Sequence, residues 1–185
     1  TITVTNVDEF TYWDFATDIE GWNAPNNLTS SVSNSIATLT ITGSDPFIHS
    51  TNNLNIPCSL YNYIIIRMQN QTTATTAELI WTTYESTSFN STKRVAIPIV
   101  ANDTQQRYYI VDLSANPNWT GALKQLRLDP TIAANGSLQV DFIKITGAYP
   151  TTAAAIPGTI QAENFNKGGQ RNAYNDATPT TNSGN

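Results

Sequence analysis

The sequence predicts an all-β chain folded as a two-sheet antiparallel β-sandwich, a jelly roll. Three observations predict it. Charged residues make up only 12% of the 185 positions, and Thr, Asn and Ser take the polar places instead; Thr is β-branched and fits a pleated strand, while Asn and Ser favour turns. Short stretches that alternate apolar and polar residues recur along the chain, punctuated by Asn, Gly, Pro and Ser. No stretch keeps a helical period for more than a turn or two. Many short strands between such turns imply two sheets packed face to face, and in the jelly-roll version one sheet is concave and faces solvent.

Thr1 to Val7 alternates Ile2 and Val4 with Thr and reads as an edge strand or a linker. In Tyr12-Trp13-Asp14-Phe15 the alternation puts Trp13 and Phe15 on one face and Asp14 on the other, and Trp13 and Trp22 frame a polar link from Asp18 to Gly21. Ser31 to Thr42 holds two short half-exposed strands. A loop at Gly43-Ser44-Asp45-Pro46 leads into PFIHS, which is strand-like. The centre of the chain is Tyr61 to Tyr84, two strands joined by a Thr-rich turn. Its first strand sets Ile64, Ile66 and Met68 against Tyr63, Ile65, Arg67 and Gln69. Its second sets Leu79, Trp81 and Thr83 against Glu78, Ile80, Thr82 and Tyr84. Thr92 to Val100 and Gln106 to Leu113 add two strands. After a loop tipped by Trp119, Leu123 to Leu128 is a strand whose Leu126 and Leu128 face away from Gln125, Arg127 and Asp129. A turn at Asn135-Gly136 precedes the last strand, Leu138 to Ile145. The sandwich is assigned to residues 8–147, a linker rich in Pro, Thr and Ala to 148–157, and a polar segment too short to bury a core to 158–185.

Composition excludes several classes of function. The net charge is -5 with no Lys/Arg cluster, which argues against nucleic acid and anionic membrane surfaces as partners. The longest apolar run, Tyr63 to Ile66, is far below the roughly 20 residues of a membrane helix. One cysteine, Cys58, and one histidine, His49, leave no basis for an internal disulfide, a zinc site or a Ser-His-Asp or Cys-His catalytic set. Nothing in the order or spacing of the carboxylates selects the close pair that a retaining glycosidase uses. No signal peptide is visible, so the chain reads as a mature or excised fragment.

What remains points to a ligand rich in hydroxyls. Aromatic faces stack on the C–H face of a sugar, and guanidinium and amide groups take its hydroxyls. Arg67 and Arg127 face away from their aliphatic neighbours; each is a sugar ligand or one half of a surface ion pair, with Asp129 or Glu78 as partners. Tyr84, Trp119 and His49 fall in or near loops and are candidates for the same role. Trp81 is open to two readings, a stacking platform or, since it shares a face with Leu79, a core residue. By strict alternation Asp141 shares the inward face of Ile143 and Ile145, and a carboxylate there must be neutralised, hydrogen-bonded or bound to a cation.

The segments WDFATDIEGW, YIIIRMQN, ELIWTT, YYIVDLSANPNW, LKQLRLDP and VDFIKI, in this order across about residues 10–147, resemble the β-sandwich carbohydrate-binding modules attached to bacterial polysaccharide-degrading enzymes, in the galactose-binding-like superfamily of families 4, 9, 16 and 22. IPGTIQAENF from Ile156, followed by Gly168-Gly169, Ala173-Tyr174, Asp176, Thr178-Pro179 and Asn182-Ser183-Gly184, resembles the opening of a family 6 module, of which only the start is present. The resemblance implies a secreted, non-catalytic module whose partners are a polysaccharide and the catalytic domain of the same parent chain. It also implies a structural calcium held by a last-strand carboxylate, the position Asp141 matches, together with groups near the first strand, for which Asp14, Asp18 and Glu20 are equal candidates. Glu163 matches a family 6 calcium position. Two rival readings stand beside it: a spacer sandwich without ligand, and a fragment of a glycoside hydrolase or lyase.

Overall fold

A computed structural model describes residues 12–131 and 135–147, and these form the predicted two-sheet antiparallel sandwich with no helix among them. Thr1 to Val7, the 148–157 linker and the family 6-like segment 158–185 lie outside the described residues. Twelve strands are described: β1 (Tyr12–Trp13), β2 (Asn23–Asn26), β3 (Leu28–Ser33), β4 (Ile36–Ile41), β5 (Phe47–His49), β6 (Ile56–Pro57), β7 (Tyr61–Asn70), β8 (Thr76–Thr83), β9 (Arg94–Pro98), β10 (Arg107–Asp112), β11 (Ala122–Asp129) and β12 (Ser137–Gly147). One sheet has the order β10-β7-β12-β4-β3 with β1 beside β12; the other has the order β2-β5-β11-β8-β9 with β6 beside β11. The chain crosses repeatedly between them, as a jelly roll requires.

Period-two alternation decides what lies between the sheets. The β7/β12 sheet sends in Ile64, Ile66, Met68, Leu138, Val140, Ile143, Ile145 and Leu39, and the β8/β11 sheet sends in Leu79, Trp81, Leu123, Leu126 and Leu128; all belong to one buried cluster. Burying side chains of this size contributes about 1.5–3 kcal/mol each for the aliphatic ones. Trp81 is 0% exposed, and its indole N–H donates to the Asn118 carbonyl at 3.1 Å. Trp119 packs edge-on to it at 5.4 Å and donates to the Tyr61 carbonyl at 3.0 Å. Both rings thus satisfy their only polar atom inside the fold. Trp13 and Trp22 meet in the same edge-on way at 5.3 Å.

Turn chemistry closes the strands where the sequence places it. Asn34 and Ser35 both have positive φ, the geometry of a tight hairpin turn between β3 and β4. Asn70 caps the β7–β8 connection: its amide donates to the carbonyls of Ala74 and Val100, and its oxygen accepts from the amide and hydroxyl of Thr72. Cys58 is buried, and that burial pushes its thiol up to about 11. It is an inert core residue rather than a nucleophile.

Two strands carry no sequence signal. Asn23–Asn26 shows no alternation, and Ile56–Pro57 is only a two-residue contact with β11. The larger departure lies in β12. Its pairing with β7 shifts register between Val140 and Phe142, the mark of a β-bulge. The extra residue resets the alternation, so Leu138 and Val140 before it and Ile143 and Ile145 after it all face inward. Asp141 and Phe142 both face out.

Candidate functional site: two outer faces

The outer face of the β8/β11 sheet gathers charged and aromatic groups from four strands and two loops. Arg127 and Asp129 are two residues apart on β11 and so point the same way. Their side chains pair bidentately, Nε to Oδ1 at 2.5 Å and Nη2 to Oδ2 at 2.6 Å. The register sets His49 of β5 opposite Arg127, and Glu78 of β8 opposite Asp129. Phe47 lies on the same side of β5 as His49, and the Arg127 guanidinium sits 3.8 Å from its ring centroid. The loop after β8 folds back so that Phe89 stacks on His49 at 5.4 Å with only 17° between the rings. From the loop before β5, Asp45 comes within 3.5 Å of Arg127 and accepts at its carbonyl from the Asn26 amide. Gln125 is tied to the Ser50 carbonyl, and Arg94 reaches Glu78 at 3.4 Å. Arg127 and Asp129 retain only 19% and 13% exposure, so the pair is recessed and held in place before any ligand arrives. Burial, and then the positive charge of Arg127, push the His49 imidazole below its ordinary range. The ring is neutral at pH 7.

On the opposite side of the sandwich, the outer face of the β7/β12 sheet carries a second Arg–Asp pair. Arg67 Nη1 donates to Asp141 Oδ2 across neighbouring strands. Tyr108, directly opposite Arg67 on β10, has its ring centroid 5.6 Å from the guanidinium. Phe142 lies between two tyrosines, 5.9 Å from Tyr108 and 5.5 Å from Tyr12. Gln69 and Gln106 border the pair, donating to the carbonyls of Asp103 and Gln139. Burial, helped by the carboxylates of Asp14 and Asp141, pushes the Tyr12 phenol up, so it is uncharged at neutral pH.

Arg67 and Arg127, candidates for one function, therefore stand on opposite outer faces and cannot share a ligand. His49 is on a strand, not a loop, and joins the Arg127 cluster. Trp81 takes the core reading of its two, and Trp119 is a correction: at 0% and 6% exposure neither offers a ring face to a glycan, because both fill the space between the sheets. Tyr84 is exposed just past the end of β8, its amide bound to the Ala122 carbonyl, and takes no part in the ring cluster. The residues that complete the faces were not singled out from sequence. Phe47 shares alternation with His49, and Phe89 is a lone aromatic in a polar loop, so both left a signal. Tyr108 left none, because both faces of its strand are apolar.

The four carboxylates proposed for calcium do not assemble into one donor set. Asp141 is on the outer face, committed to Arg67. Asp14 and Glu20 both accept from the Ala16 amide, and Asp18 accepts from the Glu20 amide, within a single exposed loop. Among the described residues no three His, Cys, Asp or Glu side chains converge as a metal site.

No family model matches the chain, and no curated protein matches it in sequence. Solved structures do match it in fold. A variant of a family 29 carbohydrate-binding module aligns with TM-score 0.54 at 10% identity, over 75% of this chain and 94% of that one. A variant of the module CBM29-2 complexed with cellulohexaose gives TM-score 0.54 at 9% identity, over 76% and 94%. The low affinity xylan binding module CBM86 from the gut symbiont Roseburia intestinalis gives TM-score 0.52 at 10% identity, over 76% and 95%. At such identities the likeness is one of fold.

Proposed function

We propose that this protein is a non-catalytic carbohydrate-binding module that tethers a secreted polysaccharide-degrading enzyme to its glycan, and that the outer face of the β8/β11 sheet holds the sugar. The observation that carries the reading is the Arg127–Asp129 pair locked over Phe47 beside the His49–Phe89 stack. A sugar hydroxyl both donates and accepts, and a fixed guanidinium next to a fixed carboxylate offers the complement of both. Because the groups are ordered before binding, little rotamer entropy remains to be lost. The matched modules support the choice of ligand: one holds cellulohexaose, one is a xylan binder, and substitutions of tyrosine, lysine, arginine and aspartate served to probe ligand recognition in family 29.

Within that class, the ordered motifs between residues 10 and 147 support kinship with families 4, 9, 16 and 22, and the motifs after Ile156 support the start of a family 6 module. A catalytic domain on the same parent chain would gain effective concentration at the polymer surface. The catalytic alternative has less support: Glu78 and Asp129 stand opposite one another, but each of Asp129, Asp141, Asp103 and Glu78 is engaged by an arginine in an ion pair. The spacer alternative predicts no ligand at all.

Native affinity gels containing xylan or hydroxyethylcellulose test the reading. Wild-type protein should be retarded, and Arg127→Ala should weaken binding about ten- to a hundredfold while the fold is kept, since a hydrogen bond to a charged group contributes about 1.5–3 kcal/mol. A folded wild type that runs unretarded on every glycan would point to the spacer.

A further inference from the structure

The outer face of the β7/β12 sheet is idle in the reading above, yet it is built from the same chemistry. We propose that it is a second glycan-binding surface, centred on Arg67, Asp141 and Tyr108, so that one module bridges two polysaccharide strands. The inference rests on the carbohydrate-binding reading only for the class of ligand.

Three observations carry it. First, the face keeps large rings in water. Tyr108 is 46% and Tyr12 43% exposed, on either side of the buried Phe142, and Ile110, one alternation along β10 from Tyr108, is 63% exposed. The rings form a continuous strip across β10, β12 and β1 on which a run of sugars can lie. Second, polar capacity is left over beside that strip. Among the described residues the Arg67 guanidinium is hydrogen-bonded only through Nη1 to Asp141, and its side chain keeps 33% exposure, so it can still donate to a ligand. Gln106 donates its amide nitrogen to the Gln139 carbonyl at the border of the pair. A guanidinium that is part exposed and only part hydrogen-bonded can take a sugar hydroxyl without giving up its ion pair. Third, the surface is mixed rather than oily. The rings alternate with Arg67, Asp141, Gln69, Gln106 and Gln139, which suits a ligand of alternating C–H faces and hydroxyls better than the apolar core of a protein interface.

The two faces lie on opposite sides of one core, with sheets about 10 Å apart, so a single sugar chain cannot occupy both. Occupation of both makes the module a cross-link.

The test uses the full chain on xylan and hydroxyethylcellulose gels, with four proteins: wild type, Arg127→Ala, Arg67→Ala/Tyr108→Ala, and the triple variant. Both Arg67 and Tyr108 are partly or well exposed, and unfolding curves check that each variant is folded. The expected result is residual retardation of Arg127→Ala that the triple variant loses, with wild type alone raising the viscosity of dilute xylan. Abolition of all retardation by Arg127→Ala alone overturns the second surface and leaves the first intact. Abolition by Arg67→Ala/Tyr108→Ala alone, with Arg127→Ala unaffected, overturns the first surface and keeps the β7/β12 face as the sole site. A wild type retarded on neither glycan overturns both.

Discussion

The two outer faces present the same chemical unit, an arginine paired with an aspartate beside aromatic rings, assembled in different ways. Arg127 and Asp129 are neighbours on one strand, and any extended backbone at this point brings them together. Arg67 and Asp141 lie 74 residues apart in sequence. They meet only because β7 and β12 pair and a bulge turns Asp141 outward. The local pair is also the more deeply set, with Arg127 at 19% side-chain exposure against 33% for Arg67. A recessed pair is less screened and more ordered, whereas an exposed one retains solvent and mobility. The difference teaches that one face is preformed for selective contact and the other is suited to broader, weaker stacking.

The largest disturbance of this contrast should come from between the faces. Trp81 fills the space behind both sheets, so Trp81→Ala should cost about 3–5 kcal/mol in urea unfolding. Glycan retardation by the two faces should then disappear at the same denaturant concentration. Loss from one face while the other persists would mean the sheets are not a single cooperative unit.

A milder change separates the faces by pH. The His49 imidazole titrates below its unfolded value, pushed there by burial and by Arg127. Between the unfolded and folded pKa values the unfolded chain binds more protons, so the His49 contribution favours folding above about pH 6.5 and is lost as pH falls from there through the lowered folded value. Melting temperature should therefore drop from pH 7 to pH 5, and His49→Gln should flatten that part of the curve. A slope unchanged in the variant would remove His49 as its source. The other face has no histidine, and Arg67-dependent retardation should be the same at both pH values.

The smallest effect concerns calcium. With Asp141 committed to Arg67, the Asp14–Glu20 loop is what remains of the calcium candidates among the described residues, next to Tyr12 on the β7/β12 face. Adding millimolar calcium after chelation should raise the melting temperature by no more than a few degrees if the loop takes it up. Identical melting with and without chelator would rule out calcium as a structural part of this sandwich.

How much of this was legible follows from the physics of each element. The inward sets of β7 and β11 could be read directly, because one side of each strand is apolar and period two leaves no choice; in β8 the same alternation puts Trp81 beside Leu79 but leaves its ring open as core or as platform. Arg127 beside Asp129 was visible for the same reason. Asp141 was misplaced because the count along LQVDFIKI assumed unbroken alternation, and a bulge follows from how two distant strands fit rather than from local residue types. Tyr108 could not be assigned because Tyr109 and Val111 are as apolar as Tyr108 and Ile110, so either face could have been the core. The closeness of Phe89 to His49 depends on where a ten-residue loop folds back, which no periodicity records.

Cys58 has a practical consequence. It is the chain's only cysteine, and its walled-off thiol, at about 11, leaves almost no thiolate at neutral pH. A cysteine introduced at position 108, or in the loop that carries Phe89, would be the sole fast-reacting sulfur. The native protein is thus a ready chassis for attaching a dye or solid support to one chosen side, leaving the other side free to meet its ligand.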